Sequence, residues 1–207
     1  PACAPRTAGS SAQLTPPHPA HLGKCTAQQI LDYAQCQGAQ QTNLCAQFAS
    51  GQPAADCGTC IESQVGSPTW GVIVFSGSTA IFNVEGCVDD ALGEVPLERA
   101  NNDAGGGSCG DLLHDSYGCQ ESACSACTGT EFDACDNATL FVGDDASAPG
   151  VCRAPDLAAS TSTECAPLFS ATPPADVTAC FPDPSITDTT KQEVEWLQRI
   201  VTYMCGP

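Results

Sequence analysis

The chain has 207 residues, 16 of them cysteine, and sets 24 acidic residues against 6 Lys and Arg, for a formal net charge of −18. Leu, Ile, Val and Phe make up only about 17% of it. At that fraction, with so much charge, burial does not offset the entropy of ordering a chain. The even set of cysteines reverses the expectation of disorder, because eight cross-links would supply the constraint that the core lacks.

Cysteine usage at this level belongs to an oxidising compartment, so the chain reads as secreted or exposed at the cell surface. The basic residues Arg6, Lys24, Arg99, Arg153, Lys191 and Arg199 are scattered, which excludes a phosphate-binding footprint and hence nucleic acid as a partner. The longest apolar run, residues 72–75, is far too short to cross a membrane.

Residues 1–24 are rich in Pro, Ala and Ser and form an N-terminal segment, with Cys3 as its possible anchor point. A first cysteine-rich helical unit spans 25–98. Thr26 caps a helix with Ile30, Leu31 and Ala34 on one stripe, running past Cys36 and stopping at Gly38. Short helices follow at 42–49, around Cys45, and at 53–64, where Pro53, Cys57, Cys60, Ile61 and Gln64 have helical spacing. The period then changes. Residues 70–76 and 79–84 are β-branched and aromatic, joined by Gly77-Ser78, a two-residue hairpin signal. This hairpin is almost uncharged, so it is either buried between helical layers or open to edge pairing with another chain.

Residues 99–207 form the second cysteine-rich unit. Ser108 and Asp111 read as a capping box opening a helix through Leu112, Leu113 and Tyr117. Residues 120–127 and 131–141 are further short helices. Residues 143–188 are Pro-, Asp-, Ser- and Thr-rich and irregular, pinned by Cys152, Cys165 and Cys180. The last helix is capped by Thr189 or Thr190, carries Val194, Leu197, Ile200, Val201 and Met204 as its apolar set, and reaches Cys205. The fold class is therefore mainly α and disulfide-rich, with short helices, one β-hairpin and long irregular segments. Two blocks share a spacing, Cys25-x10-Cys36 before Cys57-x2-Cys60 and Cys109-x9-Cys119 before Cys124-x2-Cys127, which points to a duplicated helical-hairpin unit.

The remaining motifs are weighed by chemistry. Two C-x2-C pairs can build a tetrahedral zinc site, but 63 residues separate them and zinc leaves the other twelve cysteines without a role. A redox reading of Cys57–Cys60 lacks the usual preceding strand, and Asp56 would raise the thiol pKa. All sixteen cysteines (Cys3, Cys25, Cys36, Cys45, Cys57, Cys60, Cys87, Cys109, Cys119, Cys124, Cys127, Cys135, Cys152, Cys165, Cys180 and Cys205) are thus expected in structural bridges. Residues 106–110, GGSCG, match G-x-S-x-G, but the preceding segment is polar where a nucleophile elbow needs a buried strand.

His114-Asp115, on a helix near a cysteine, loosely resembles the secreted phospholipases A2, in which such a His is the general base and such an Asp binds calcium. No Cys directly precedes the pair, and no calcium loop of that family's type lies before it. His18-x2-His21 is a thin metal motif. No cofactor is expected, with calcium at acidic loops such as Asp144-Asp145 the one addition the sequence admits, and Asn137-Ala138-Thr139 is a glycosylation sequon. The function this supports is a secreted, disulfide-stabilised structural or interaction protein: a surface module, an adhesin or a subunit of an extracellular assembly. Its partner would be itself or another extracellular protein; the sequence leaves a small-molecule ligand open. The alternative is a small secreted hydrolase, lipase-like and calcium-dependent, using His114 and Asp115.

Overall fold

The computed structural model describes residues 23–39, 42–64, 66–76, 79–93, 107–124, 126–127, 131, 135, 141–142 and 145–207. The expectations for the N-terminal segment with Cys3, His18 and His21, for Gly77-Ser78, for Asn137 and for Asp144 lie outside these residues. The chain is mainly helical and disulfide-rich, as its apolar periodicity and cysteine content predict. It forms two units, one holding the described residues of 17–95 and 171–207 and the other those of 96–170.

In the first unit, helix α1 (Ala27–Ala39) opens on Thr26. The Thr26 hydroxyl accepts from the Gln29 amide, and the Gln29 side chain accepts from the Thr26 amide at 2.8 Å, a reciprocal cap that satisfies two orphan donors. Ile30, Tyr33 and Ala34 are buried, whereas Leu31 is 44% exposed. The buried stripe therefore runs through Tyr33 and not Leu31, and the helix continues one residue past Gly38. Tyr33 meets Phe48 edge to face, with centroids 5.1 Å apart. Phe48 ends a single 3₁₀ turn (Ala46–Phe48) that follows α2 (Thr42–Cys45), so the predicted helix at 42–49 is broken in two.

Helix α3 (Ala55–Ile61) stops three residues short of the predicted end, because Glu62 turns extended and opens strand β1 (Glu62–Gln64). Strand β1 pairs in parallel with β2 (Ile73–Ser76), Glu62 opposite Ile73 and Gln64 opposite Phe75. Ahead of β2, the backbone at Gly71 passes so close to the end of α3 that a Cβ there would lie 2.6 Å from the Cys60 carbonyl oxygen and 2.7 Å from that of Ile61. Strand β3 (Thr79–Phe82) completes the predicted hairpin, antiparallel to β2 with Ser76 opposite Thr79. The hairpin is unevenly covered: Val72 and Val74 are buried, Ala80 is exposed, and Ile81 and Phe82 are half-buried.

Val84, predicted to end the second strand, instead starts helix α4 (Val84–Leu92). Asn83 decides this. Its side-chain oxygen accepts from the Gly86 amide at 3.0 Å, and its amide nitrogen donates to the Gly71 carbonyl at 3.0 Å, so one buried residue ends the sheet and caps the helix. Gly93, at φ 67°, closes α4 in the left-handed conformation.

In the second unit, Ser108 and Asp111 form the predicted box: the Ser108 hydroxyl accepts from the Asp111 amide and the Asp111 carboxylate from the Ser108 amide. Helix α5 (Cys109–Cys124) is longer than predicted and absorbs most of the next expected helix. In the stretch 131–141, Glu131 and Cys135 are helical but Phe141 begins β4 (Phe141–Val142), which pairs antiparallel with β5 (Asp145–Pro149). The segment predicted to be irregular also holds α6 (Arg153–Thr161), which packs on α5. Pro155 sits in its first turn, where the missing amide hydrogen is no loss.

The chain returns to the first unit with α7 (Ala175–Ala179) and α8 (Thr189–Cys205). Asp188, one residue before the predicted cap, accepts from the Lys191 amide at 3.0 Å. Leu197, Ile200, Val201 and Met204 are buried and Val194 is half-buried; the helix packs on α1. Trp196 lies 4.3 Å from Phe82 centroid to centroid and donates from its indole to the Cys180 carbonyl.

Seven bridges join described residues, each within one unit: Cys25–Cys57, Cys36–Cys45, Cys60–Cys205 and Cys87–Cys180 in the first, Cys109–Cys165, Cys119–Cys152 and Cys124–Cys135 in the second. The pairing does not follow the repeated spacing: Cys25 joins the first C-x2-C pair, but Cys109 passes over the second and joins Cys165.

Two outcomes test this architecture. Asn83→Ala should destabilise the first unit by about 2–3 kcal/mol in chemical denaturation, since it removes a cap and strands a buried carbonyl. Peptide mapping of the non-reduced chain should return no linked pair with one cysteine from 25–87 or 180–205 and the other from 109–165.

Candidate functional site

The two C-x2-C motifs are occupied separately. Cys57 pairs with Cys25 and Cys60 with Cys205; Cys124 pairs with Cys135, and Cys127 is also disulfide-bonded. No free cysteine exists among the described residues. Neither motif closes on itself as a dithiol couple does, and the two lie in different units.

Among the described residues, one group of three cysteines brings its sulfurs together. The sulfurs of Cys124, Cys127 and Cys135 all lie within 4.8 Å of one another, and all three residues are buried. Cys124 ends α5, and the Cys127 amide donates to the Cys124 carbonyl at 2.8 Å, folding the chain back at the motif. Cys135 completes the group, with Ala123 and Cys152 packed around it. In sequence these three form C-x2-C-x7-C within a single stretch.

His114 and Asp115 sit at mid-length in α5. His114 is 8% exposed and Asp115 is half-buried. Asp111, one turn before His114, is buried with its carboxylate accepting from the Ser108 amide. A general base must reach a proton on its substrate, and the burial of His114 limits what reaches it. Ser108, the centre of the G-x-S-x-G match, has its hydroxyl engaged as a helix cap. Of the acidic pair, Asp145 opens β5.

The clearest electrostatic perturbations are structural. The Tyr33 hydroxyl donates to Glu62 at 2.6 Å and accepts from Gln37 at 3.1 Å. Burial first, then this bond to a carboxylate, raise the phenol well above its ordinary value. Tyr203 is raised by burial and by Asp90. Asp183 is held below the usual carboxylate range, chiefly by its hydrogen bonds from Ser185.

A phenol whose folded pKa is raised stabilises the fold below its unfolded value and loses that contribution as pH climbs from about 10. Absorbance titration of the folded chain at pH 11 should therefore reveal at most one of the three tyrosines as tyrosinate. Tyr33, the buried one, should ionise only on unfolding, and Tyr33→Phe should remove that delayed step.

No family model, curated protein or solved structure matches the chain.

Proposed function

We propose that the protein is a secreted, disulfide-stabilised structural or interaction protein, acting through its surface as a module or subunit of an extracellular assembly. The observation that carries this reading is the distribution of the bridges. Each unit is closed by its own set, which suits a scaffold that must persist outside the cell.

The supporting surface feature is the three-stranded sheet. Strand β3 lies at one end of the order β1-β2-β3, so among the described residues its outer edge has no strand partner. Its sequence, Thr-Ala-Ile-Phe, carries no charge, and such an edge readily accepts another strand. A net charge of −18 also favours a partner with a basic face.

Native mass spectrometry and electron microscopy of the full chain, with and without reductant, test the reading. Concentration-dependent assembly that Ala80→Lys abolishes without unfolding the monomer is expected, because a charge on an exposed edge opposes strand addition. A monodisperse monomer alone and with basic extracellular proteins overturns it. So does a hydrolytic activity on phospholipid vesicles that His114→Ala removes.

A further inference from the structure

Asp183-Pro184 is the single Asp-Pro pair in the sequence, and the fold loads the bond between them. The Asp183 carbonyl oxygen accepts twice: from the side-chain amide of Gln192, near the start of α8, at 2.6 Å, and from the Ile186 amide at 3.2 Å. The Ile186 bond closes a turn with Pro184 in its second position, where a fixed φ suits it. The Gln192 bond is not required by that turn. It brings a second donor, from another element, to the same oxygen. Two donors on one carbonyl oxygen are what an oxyanion hole supplies in acyl transfer.

The nucleophile beside that carbonyl is the carboxylate of the same residue. Its Oδ1 accepts from the Ser185 amide at 2.9 Å. The Ser185 hydroxyl, then that amide, and then the guanidinium of Arg199 on α8 hold the Asp183 carboxyl below the usual range, so it stays ionised into acid. The leaving atom is the nitrogen of Pro184, a tertiary amide, and Pro184 is exposed to hydronium.

We propose that the folded chain cleaves its own Asp183–Pro184 bond in mild acid. A carboxylate oxygen of Asp183 attacks the backbone carbonyl carbon of the same residue and closes a five-membered ring. The carbonyl π pair moves onto the oxygen held by Gln192 and Ile186. As that pair returns, the carbon–nitrogen bond breaks and the Pro184 nitrogen takes a proton from hydronium. The products are a cyclic anhydride at Asp183 and a free amine at Pro184. One water then opens the anhydride to the Asp183 side-chain carboxyl and a new C-terminal carboxyl. The sum consumes one water and changes no oxidation state. The cut molecule stays together, because Cys60–Cys205 ties residues 184–207 to the first unit and Cys87–Cys180 holds the other side. Trp196 and Arg199 still donate across the break, to the carbonyls of Cys180 and Phe181.

The test incubates the full oxidised chain at about pH 4, close to the ordinary carboxylate pKa, and follows its mass with and without reductant. Before reduction the mass should rise by one water. After reduction it should divide into a piece ending at Asp183 and a piece starting at Pro184. Asp183→Asn should remove the cut. The folded chain should cut at least about 10-fold faster than the same chain in guanidinium chloride, and Gln192→Ala, with its native bridges verified, should lose at least about 10-fold. As pH falls the rate should rise with hydronium and level off once Asp183 protonates. Ser185→Ala should move that levelling to higher pH, which a purely structural role for Ser185 would not do. A folded rate no faster than the unfolded one, a Gln192→Ala chain that cuts like the parent, or an unshifted profile in Ser185→Ala would each overturn the proposal.

Discussion

The disulfide between Cys60 and Cys205 spans 145 residues, and the first unit is organised around it. It fixes the end of α8 to the end of α3, where β1 begins and where Gly71 allows the backbone leading into β2 to pass. On the chain-entropy account a loop of that length lowers the free energy of folding by roughly 5 kcal/mol, against about 3 for the short Cys36–Cys45 loop. In a protein with so few aliphatic residues, that difference of about 2 kcal/mol is a large fraction of the roughly 5–15 kcal/mol that stabilises an ordinary domain. Around the bridge the backbone continues the same closure: the Cys25 amide donates to the Cys205 carbonyl at 2.7 Å, and the Gly23 amide to that of Gly206.

The core follows from this constraint. Small apolar faces are enough when cross-links hold them in register. Helix α1 contributes Ile30, Tyr33 and Ala34, α8 contributes Leu197, Ile200, Val201 and Met204, β2 contributes Ile73 and Val74, and Val72 just before it is buried with them. Two polar residues in the interior carry defined tasks. Asn83 serves both the sheet and a helix, and Tyr33 binds Glu62 across 29 positions of sequence. The second unit repeats the strategy at smaller scale, with α5 and α6 held by Cys119–Cys152 and the entry to α5 held by Cys109–Cys165.

Local signals were legible where they are short-range. The Ser108–Asp111 box, the Thr26 cap, the hairpin register and the apolar stripe of α8 all depend on residues within one or two turns. What escaped depends on partners far along the chain. Helix α4 was hidden because Val84 continues a β-branched run, although Asn83 and Gly93 bracket a helix in plain view. Strand β1 exists because β2 is there to pair with it; nothing in Glu-Ser-Gln favours a strand. Helix α6 was masked by a proline-rich context whose proline happens to fall in a tolerant first turn. The bridge pattern is set by tertiary packing and cannot be read from spacing. Of the chemical motifs, the sequence located His114 correctly on a helix, but its burial depends on the packing around α5.

The account rests on long-range bridges standing in for core area, and one comparison tests that directly. Thermal unfolding of the double variant Cys60→Ala, Cys205→Ala should show the first unit losing about 10–20 °C relative to the parent, with Cys36→Ala, Cys45→Ala losing clearly less. Equal and small losses in the two variants would contradict it, and would place the stability of the fold in its packing.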